Sequence, residues 1–370
     1  MGRGVVLMFA GVYHGRRVLV TGHTGFKGSW LICLLKRLGA EVLGYSLGPM
    51  DGPSHWSLLD LYGTDAFGDL RDVDRLNTMI ERFKPEAVFH LAAQSLVRPS
   101  YEDPIGTYQT NVMGTMNLLE AVRRAGTAQA VVVVTSDKCY ENNEWERGYH
   151  EGDAMGGYDP YSSSKGCAEV ATASYRRSFF HPAGYGSSHH TLVASARAGN
   201  VIGGGDWARD RLLPDAVRAM VGDEPVEVRK PSATRPWQHV LDPLAGYLLL
   251  GQRLIEGDPS CATGWNFGPD DAEALTVREV LERFRAGSPN LVVNYAEHQP
   301  DLHEANALRL DCTKANTELN WQPVWGSRRA IDQTSQWFAA YLADGTINTN
   351  DDIDAFVSDA RSAGQRWAEA

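Results

Sequence analysis

A glycine-rich turn between an apolar strand and an apolar helix constrains the fold most strongly. Residues 18–21 predict a buried strand, and residues 30–38 carry apolar side chains at helical spacing. Gly22, Gly25 and Gly28 between them would permit a tight turn, close approach of a pyrophosphate and close helix–strand packing. We therefore predict a dinucleotide site, with a purely structural turn as the alternative. The predicted cofactor contacts in this turn are Gly22, Thr24, Gly25, Phe26, Lys27 and Gly28.

Strand-like and helix-like segments alternate through the first half of the chain. Short apolar runs at residues 41–45, 87–91, 130–134 and 191–196 are separated by stretches with helical spacing. This alternation predicts an α/β fold with a doubly wound parallel sheet of the Rossmann type. After residue 196 glycine and arginine become frequent, which indicates a smaller C-terminal α+β substrate-binding domain. The predicted divisions are a cofactor-binding domain over 1–196, a segment returning to it over 238–262, a substrate-binding domain over 197–345 and a helical tail over 346–370.

Composition and charge narrow the function classes. The net charge of −11 argues against a general nucleic-acid binder. No apolar run approaches the roughly 20 residues of a membrane-spanning helix. The five cysteines are scattered without a C-x-x-C pair, which predicts the reduced thiols of a cytoplasmic protein and no metal site. The apolar segment 5–12 lacks a signal-peptide cleavage site, so we expect an N-terminal extension packed on the surface.

The residues that follow the other strands predict the rest of the cofactor site. The second strand ends in Tyr45 and Ser46 without the acidic residue that would grip a ribose, so it does not distinguish NAD from NADP. Asp69 and Leu70 would flank an adenine, although a solvated turn is nearly as well supported. The small residues of H-L-A-A-Q, residues 90–94, would let the backbone approach the cofactor. The contacts predicted there are Leu91, Ala92 and Ala93.

A Y-x-x-x-K motif predicts a redox site. Tyr161 and Lys165 lie four residues apart, which on a helix brings the phenol and the ammonium to one face. A phenol has a pKa of about 10, and a nearby lysine and a nicotinamide cation favour its phenolate. Tyr161 would then take a proton from a sugar or alcohol hydroxyl held by Ser136, while the adjacent carbon gives its hydride to the cofactor. The alternative is an ordinary exposed pair on a helix.

The segment T-S-D-K, residues 135–138, adds groups that an alcohol oxidation does not need. Oxidising a sugar at C4 makes the C5 proton acidic, because this proton lies next to the new ketone. Asp137 would be the acid that expels the C6 hydroxyl as water, and Lys138 would be the base at C5 if burial favours its neutral form. Return of the hydride to C6 would leave the cofactor unchanged. The alternative is a surface salt bridge between Asp137 and Lys138.

The second half of the chain predicts a site for a diphosphate and a sugar. Arginines gather there, and the planar guanidinium matches phosphate oxygens. The predicted substrate contacts are Gln94, Asn111, Arg197, Asn200, Arg209, Arg235 and His239. Three alternatives stay open: an arginine taken singly suits the surface, Asn111 would also satisfy backbone groups, and His239 would also serve as a core or capping histidine.

Four motifs in this order resemble those of the extended short-chain dehydrogenase/reductases that act on nucleotide sugars. They are T-G-H-T-G-F-K-G-S-W-L (21–31), V-T-S-D-K-C-Y (134–140), Y-D-P-Y-S-S-S-K (158–165) and R-A-G-N-V-I-G-G-G-D-W (197–207). Most narrowly, they are similar to the 4,6-dehydratases of CDP-glucose. The resemblance implies bound NAD, Tyr161 and Lys165 as the active pair, Asp137 as general acid, and conversion of CDP-glucose to CDP-4-keto-6-deoxyglucose and water.

Lys138 stands where the related dTDP-glucose dehydratases carry a glutamate base. This difference supports the CDP-sugar branch and leaves two roles for Lys138, as the base itself or as a group that positions a water. The resemblance also implies a homodimer or homotetramer in which helices near Asn111 and Tyr161 pair. Three other functions remain open: dehydration of a dTDP- or GDP-sugar, 4-epimerisation on the same fold, which would not need Asp137, and cofactor sensing without catalysis.

Overall fold

The structure is a computed structural model. It describes residues 8–49, 52–59, 61, 63–228, 230–269, 275–295 and 308–369. The elements of the first half are β1 (Arg17–Thr21), α1 (Phe26–Arg37), β2 (Glu41–Ser46), α2 (His55–Leu58), β3 (Asp65–Phe67), α3 (Val73–Phe83), β4 (Ala87–His90), α4 (Val97–Glu102), α5 (Pro104–Tyr108), α6 (Gly114–Ala125), β5 (Ala130–Val134), α7 (Pro160–Ser178) and β6 (Leu192–Ala198). Those of the second half are β7 (Val201–Ile202), α8 (Leu212–Gly222), β8 (Val226–Val228), β9 (Thr234–Arg235), β10 (Gln238–His239), α9 (Leu241–Ile255), β11 (Gly264–Phe267), β12 (Leu275–Thr276), α10 (Val277–Ala286), β13 (Val293–Tyr295), α11 (Thr313–Glu318), α12 (Ser327–Asp344) and α13 (Thr349–Ser362).

A seven-stranded parallel sheet forms the centre of the molecule, in the order β11-β6-β5-β4-β1-β2-β3. Successive strands run outward from β1 on one side and from β4 on the other, so the strand order reverses between these two. In such sheets a ligand binds in the crevice beyond the carboxyl ends of the strands at that reversal. This architecture confirms the predicted doubly wound Rossmann fold.

The strands at the centre of the sheet form from almost unbroken apolar sequence. All five residues of β5 and all four of β4 are buried. Burial on both faces removes the alternation of polar and apolar residues that an exposed sheet would show. The edge strand β3 has only three residues and no such signal, which is why the sequence did not predict it. Because these strands are parallel, the polar residues that follow β1, β4 and β5 lie together at the carboxyl edge of the sheet.

Two helical segments, α7 and the one formed by α5 and α6, carry the other predicted site residues near the carboxyl edge of the sheet. α7 begins at Asp159, whose carboxylate accepts a hydrogen bond of 2.9 Å from the Ser162 N–H, with Pro160 at the first helical position. The stretch with helical spacing before β5 contains α5 and α6, which are joined through a π turn at Gln109–Met113. Such turns interrupt helices most often at functional sites. This one changes the direction in which Asn111 points.

The second half of the chain covers the carboxyl edge and one face of the sheet. α9 packs on β5 and β6, and 13 of its 15 residues are buried. A helix that is apolar all round is typical of such a central position. The short strands form three two-stranded sheets, β7 with β10, β8 with β13 and β9 with β12. This mixture of small sheets and helices is the predicted α+β character of the second half.

The N-terminal segment is a part of the core and not a surface extension. Met8 and Phe9 are about as buried as the central strands, at 1% and 2% exposure. The Phe9 ring stacks on Trp367 with centroids 5.1 Å apart, and the Tyr13 hydroxyl donates to the Leu248 carbonyl. The prediction of surface packing is therefore wrong for Met8 and Phe9, because the Phe9 ring packs on Trp367 of the C-terminal tail, whereas Ala10 is exposed. Residues 5–7 of that segment lie outside the described residues.

Among the described helices, none combines the length and the apolar character that crossing a bilayer requires.

Candidate active site

The glycine turn lies at the reversal of strand order, between β1 and β4. Gly22 has a φ of 74°, and a Cβ on it would stand 2.6 Å from the Ala92 nitrogen. A Cβ on Gly28 would stand 2.1 Å from the Gly22 carbonyl oxygen. The N-cap of α1 is Gly25, which has no side chain to bind the free N–H groups of the first turn. The turn therefore presents an uncapped helix N-terminus to the crevice, as a pyrophosphate site requires.

A buried chain of polar side chains fixes the strand ends behind this turn. His90 Nδ1 lies 2.7 Å from Thr21 Oγ1, and His90 Nε2 lies 2.9 Å from Thr115 Oγ1. Burial lowers the pKa of His90 to about 3, so the ring is neutral and bridges the two hydroxyls as donor and acceptor. Sequence reasoning missed this histidine, since its partners come from β1 and α6.

Asn111 and Gln94 both hold backbone groups. Asn111 Oδ1 accepts from the Gln94 N–H at 2.8 Å, and its Nδ2 donates to the Gln94 carbonyl and to Ser164 Oγ. The Gln94 amide is itself bonded to both backbone groups of Leu96 and to Thr107. Asn111, at 1% exposure, is therefore not placed to contact substrate, whereas the contact of the half-buried Gln94 with substrate stays a prediction. They position the loop that follows β4.

Ser136 and Asp137 occupy the start of a single 3₁₀ turn after β5. Ser136 Oγ donates to Asp137 Oδ1 at 2.9 Å and accepts from the Lys138 N–H at 3.2 Å. Burial raises the pKa of Asp137, while Lys138, Ser136 and Lys27 act in the opposite direction. A Cβ on Gly199 would lie 3.0 Å from Asp137 Oδ2, so the backbone of the glycine-rich segment passes close to the carboxyl. A carboxyl with a raised pKa is suited to donate a proton.

Tyr161 and Lys165 are both buried on the first two turns of α7. Burial raises the pKa of Tyr161 to about 12, and the nearby Ser136 hydroxyl lowers it in part. Burial also lowers the pKa of Lys165 to about 8, and its Nζ donates to the Val134 carbonyl at 3.4 Å. The Tyr161 N–H donates to Ser100 Oγ of α4, which fixes the start of the helix. Ser136, which hydrogen-bonds to Asp137, therefore also lies close enough to Tyr161 to affect the pKa of its phenol.

Arg197 binds a buried carboxylate and does not face the crevice. Its guanidinium donates two hydrogen bonds of 2.9 Å to Glu169, and a third to the Tyr140 hydroxyl at 2.6 Å. Both charged side chains are only 5% exposed. The predicted substrate contact of Arg197 is therefore wrong. Glu169 lies four residues after Lys165 and eight after Tyr161, a spacing that would have placed it beneath the site on the same face of α7.

Lys27 and Arg211 bring positive charge close to the catalytic group. Burial lowers the pKa of Lys27 to about 7, and the neighbouring Arg211 lowers it further, while Asp137 raises it. Arg211 donates to Asp206 at 2.9 Å, and Tyr161 raises the pKa of its guanidinium. Sequence reasoning placed Lys27 in the cofactor turn and did not single out Arg211. The run G-G-G-D-W-A-R-D-R contained the signal, since Asp206 and Arg211 lie within it.

The glycines before Asp206 let this run pack against aromatic rings. A Cβ on Gly203 would stand 3.1 Å from the Phe26 ring, and one on Gly204 would stand 2.0 Å from the Trp337 ring. Gly205 has a φ of 79° and lies against His55 in the same way. The glycine-rich run therefore follows the mouth of the cofactor turn at backbone contact distance, which only glycine permits.

The other predicted substrate residues divide between the crevice edge and the core. Arg209 is exposed, while Asn200 and Arg235 are half-buried, and the Asn200 carbonyl accepts from the Gln238 N–H at 3.1 Å. His239 is fully buried against Trp30 and Trp325, and burial lowers its pKa to about 3. The predicted substrate contact of His239 is therefore corrected to the alternative of a core histidine.

The predicted adenine and ribose contacts lie at the carboxyl ends of β2 and β3. The Asp69 carboxylate is paired with Arg71, and the Leu70 side chain is 5% exposed. Ser46 Oγ lies 2.9 Å from Thr24 Oγ1 and 3.1 Å from His23 Nδ1. Hydroxyl groups thus occupy the position where an acidic residue would bind a ribose. Within the described part of the chain, no cluster of three or more histidine, cysteine or acidic side chains could hold a metal.

These features define a class of protein: a Rossmann-fold enzyme with the tyrosine–lysine–serine site of the short-chain dehydrogenase/reductases and an additional buried carboxyl group. A family model described as GDP-mannose 4,6 dehydratase matches residues 19–334. A CDP-glucose 4,6-dehydratase of Salmonella typhimurium is 50% identical over 334 residues, which cover 89% of this chain and 92% of that protein. The chain therefore belongs to the family that this model describes, and it is a nucleotide-sugar 4,6-dehydratase.

Solved structures agree on the fold. An epimerase of Methanothermobacter thermautotrophicus superposes with a TM-score of 0.79 at 23% identity, covering 92% of this chain and 97% of that one. A UDP-glucose 4-epimerase of Brucella ovis in complex with NAD gives 0.73 at 25% identity, covering 88% and 99%. A dTDP-glucose 4,6-dehydratase of Streptomyces venezuelae with NAD bound gives 0.73 at 22% identity, covering 89% and 97%.

Proposed function

We propose that the protein dehydrates CDP-D-glucose to CDP-4-dehydro-6-deoxy-D-glucose with NAD as its cofactor. The observation that carries the reaction is that Ser136 donates to the buried Asp137 carboxyl, whose pKa is raised, and also lies close enough to Tyr161 to lower the pKa of its phenol. A 4-epimerase would not need Asp137. The 50% identity to a CDP-glucose 4,6-dehydratase supports cytosine as the base.

The cofactor fits the crevice between β1 and β4. The uncapped N-terminus of α1 would bind the pyrophosphate, and the backbone at Ala92 and Ala93 would approach the nucleotide from β4. The hydroxyls of Thr24 and Ser46 would face the adenosine ribose. When bound, NAD accepts the C4 hydride of the sugar and returns it at C6.

Tyr161 would take the proton of the C4 hydroxyl, and Ser136 would hold that hydroxyl in line. The buried Lys165 lies under the same helix face and stabilises a phenolate electrostatically. Because burial alone favours the protonated phenol, this lysine and the positive charge of the oxidised cofactor are both needed for Tyr161 to act as a base at neutral pH.

Asp137 would give its proton to the departing C6 hydroxyl. The half-buried Lys138 adjoins it and would remove the C5 proton, directly or through a water, and later return it to C5. The diphosphate would lie toward the second half of the chain, with Arg209, Arg235 and Asn200 as its expected contacts. Arg211, held by Asp206, adds a further cation on this side.

We also propose how the chain is divided and assembled. Residues 1–196 with 238–262 would form the NAD-binding domain, 197–345 the substrate-binding domain and 346–370 the tail. A homodimer or homotetramer would pair the helices around Asn111 and Tyr161. Large apolar side chains exposed on α5, the π turn and α7 support this: they are Ile105, Met113 and Val170. A cytoplasmic location fits a cofactor and substrates that are made there.

An assay with CDP-, dTDP- and GDP-glucose in parallel tests this function. We expect a 4-keto-6-deoxy product, whose enolate absorbs near-ultraviolet light in alkali, from CDP-glucose at the highest kcat/KM. A chromophore only with another nucleotide would move the assignment to that nucleotide. A galactose epimer in place of the chromophore would establish the 4-epimerase.

A further inference from the structure

One buried ion pair holds both ends of the turn that carries the proposed acid and base, residues 136–139, which we call the acid–base turn. Thr135 precedes this turn, and its hydroxyl donates to Glu169 Oε1. Tyr140 follows the turn, and its hydroxyl accepts from Arg197 Nη1 at 2.6 Å. Because Arg197 and Glu169 bind each other, the residues on both sides of the acid–base turn are fixed to the same pair of charges.

Tyr140 is also bonded to the backbone of the acid–base turn. Its N–H donates to the Asp137 carbonyl at 3.5 Å, and this bond closes the single 3₁₀ turn. A shift of Tyr140 would therefore move the backbone of Asp137 and of Lys138, which lies between them. Ser136 instead directly follows Thr135 and the buried strand β5. The positions of the acid and the base thus depend on Tyr140 more than the position of Ser136 does.

The Tyr140 hydroxyl has fixed partners on two neighbouring strands. It accepts from Arg197 on β6 and donates to Asn266 Oδ1 on β11 at 2.8 Å, and these two partners lie opposite each other in the sheet. Burial raises the pKa of Tyr140 although Arg197 acts against it, so the phenol keeps the proton that it donates. The Asn266 amide is held in turn, because it donates to the Tyr149 carbonyl at 2.8 Å and to the Asp311 carbonyl at 3.1 Å.

The ring of Tyr140 has contacts of its own, apart from those of its hydroxyl. The Arg197 guanidinium carbon lies 5.0 Å from the ring centroid, and the Tyr149 ring stacks on it with centroids 5.3 Å apart. The whole residue is only 1% exposed. Removal of the hydroxyl alone should therefore leave the ring packed and remove only the bonds that tie the acid–base turn to the two strands.

We infer that Tyr140 is a positioning residue for the elimination of water, because its hydroxyl fixes the acid–base turn to strands β6 and β11. It acts through the placement of Asp137 and Lys138 and takes part in no bond change. The oxidation at C4 depends on the tyrosine–lysine pair of α7 and is expected to proceed without the Tyr140 hydroxyl. The inference rests on the proposed dehydration and assigns a further residue to its second half.

Single-turnover kinetics of Tyr140→Phe in the NAD-loaded protein tests this role. With active enzyme in excess over CDP-glucose, rapid quench reports the loss of CDP-glucose, which measures oxidation, and the appearance of the 4-keto-6-deoxy product in the same samples. We expect oxidation within about twofold of the wild-type rate and product formation roughly tenfold slower, because misplaced catalytic groups lose rate steeply. These first-order rate constants do not depend on the fraction of folded enzyme, so partial unfolding does not imitate the difference.

Tyr149→Phe is the matched control. It makes the same chemical change one ring further along the stack, where the hydroxyl donates to Asn142 Oδ1 at 2.9 Å and accepts from the Asn143 N–H at 2.7 Å. Neither bond reaches the ion pair, so both rate constants should stay at the wild-type values. Slower product formation with normal oxidation in this variant too would assign the effect to packing of the rings and overturn the role of the Tyr140 hydroxyl.

Two further results would contradict the inference. Equal loss of oxidation and of product formation in Tyr140→Phe would make the hydroxyl a support of the whole site. Wild-type values of both rate constants would mean that the acid–base turn keeps its geometry without this anchor. Absence of product from the wild type with any nucleotide-glucose would instead reject the proposed dehydration.

Discussion

Two buried carboxyl groups, Asp137 in the turn after β5 and Glu169 on α7 against β6, differ in how many donors surround them. Glu169 accepts two hydrogen bonds from Arg197, one from Ser195 and one from Thr135. Burial alone would raise its pKa, but Arg197 and the hydroxyl donors outweigh burial and hold the pKa below the usual range. The group is a permanent anion.

Asp137 is buried to the same degree but is poorly supplied with donors. Its side chain accepts from Ser136, and burial prevails over the neighbouring cations, so its pKa is raised. The comparison teaches that burial does not decide whether a carboxyl is structural or reactive. The number of fixed donors decides between these roles. Four donated hydrogen bonds stabilise the ionised form of Glu169, whereas the single one at Asp137 leaves its protonated form accessible.

The largest effect should come from removal of the phenol next to Asp137. Tyr161→Phe should lower kcat by about 10²–10⁴, since the base for the C4 hydroxyl is lost while the ring still fills its site. Product formation and transient NADH absorbance measure it, and both should disappear together. An unfolding midpoint equal to that of the wild type serves as the control. A large fall in that midpoint would mean that Tyr161, like Glu169, mainly stabilises the fold.

Removal of the cation beside Glu169 should act on stability. Arg197→Leu should lower the free energy of unfolding by about 3–5 kcal/mol, because a buried carboxylate loses its counter-charge. Urea denaturation at pH 7 measures it. The double variant Arg197→Leu with Glu169→Leu should recover most of the loss, since it removes the stranded charge. A single variant as stable as the wild type would show that Glu169 does not depend on its donors.

A neutral amide at position 137 should separate the two halves of the reaction. Asp137→Asn should lower product formation by about 10²–10³ while oxidation continues, because only the acid for the departing hydroxyl is lost. Absorbance of NADH should therefore accumulate during turnover. Equal loss of NADH formation and of product would give Asp137 another role.

The smallest effect concerns a third buried carboxyl, Asp242, which sharpens the same rule. Its Oδ1 accepts from the Val324 N–H at 2.6 Å, while Oδ2 is buried without a partner among the described residues. Burial raises its pKa to about 7. Between pH 4 and 7 the folded protein therefore keeps a proton that the unfolded chain has lost, so this group's contribution to stability falls as pH rises through that window.

Asp242→Asn should remove that fall. Compared with the wild type, the variant should gain about 2 kcal/mol between pH 5 and pH 8, since one pKa unit corresponds to about 1.4 kcal/mol and local relaxation reduces the full shift. Urea denaturation at both pH values measures the difference. A variant whose stability runs parallel to the wild type across the two pH values would mean that Asp242 is ionised in the fold at no cost.

The sequence predicted the parts of the site that adjoin one another along the chain. The glycine turn, the strand end at 136–138 and the spacing of Tyr161 and Lys165 are local patterns, and the structure brings them together. The partners of Arg197 and Asn111 are not local. Arg197 pairs with Glu169, which lies on α7. Asn111 bonds to Gln94 from within a π turn that no residue type in the sequence indicates. The sequence analysis therefore assigned both residues to the substrate, although protein groups bind their side chains in the fold.

The same limit explains what was missed in the fold. β3 is three residues long and alternates too briefly to be recognised. The burial of Met8 and Phe9 depends on Trp367, more than 350 positions away, and nothing near Phe9 in the sequence indicates this partner. Patterns whose geometry the backbone alone sets could be recognised in the sequence, and contacts completed by a distant side chain could not.

The stacking of Phe9 on Trp367 has a practical consequence. Because the two ends of the described chain touch, a short peptide linker could join them, and new ends could be opened at the exposed residues 143–147, which lie between β5 and α7. Such a circular permutant would keep the same neighbours for every strand of the sheet. It would also offer a way to attach a surface or a reporter directly beside the crevice instead of on its far side.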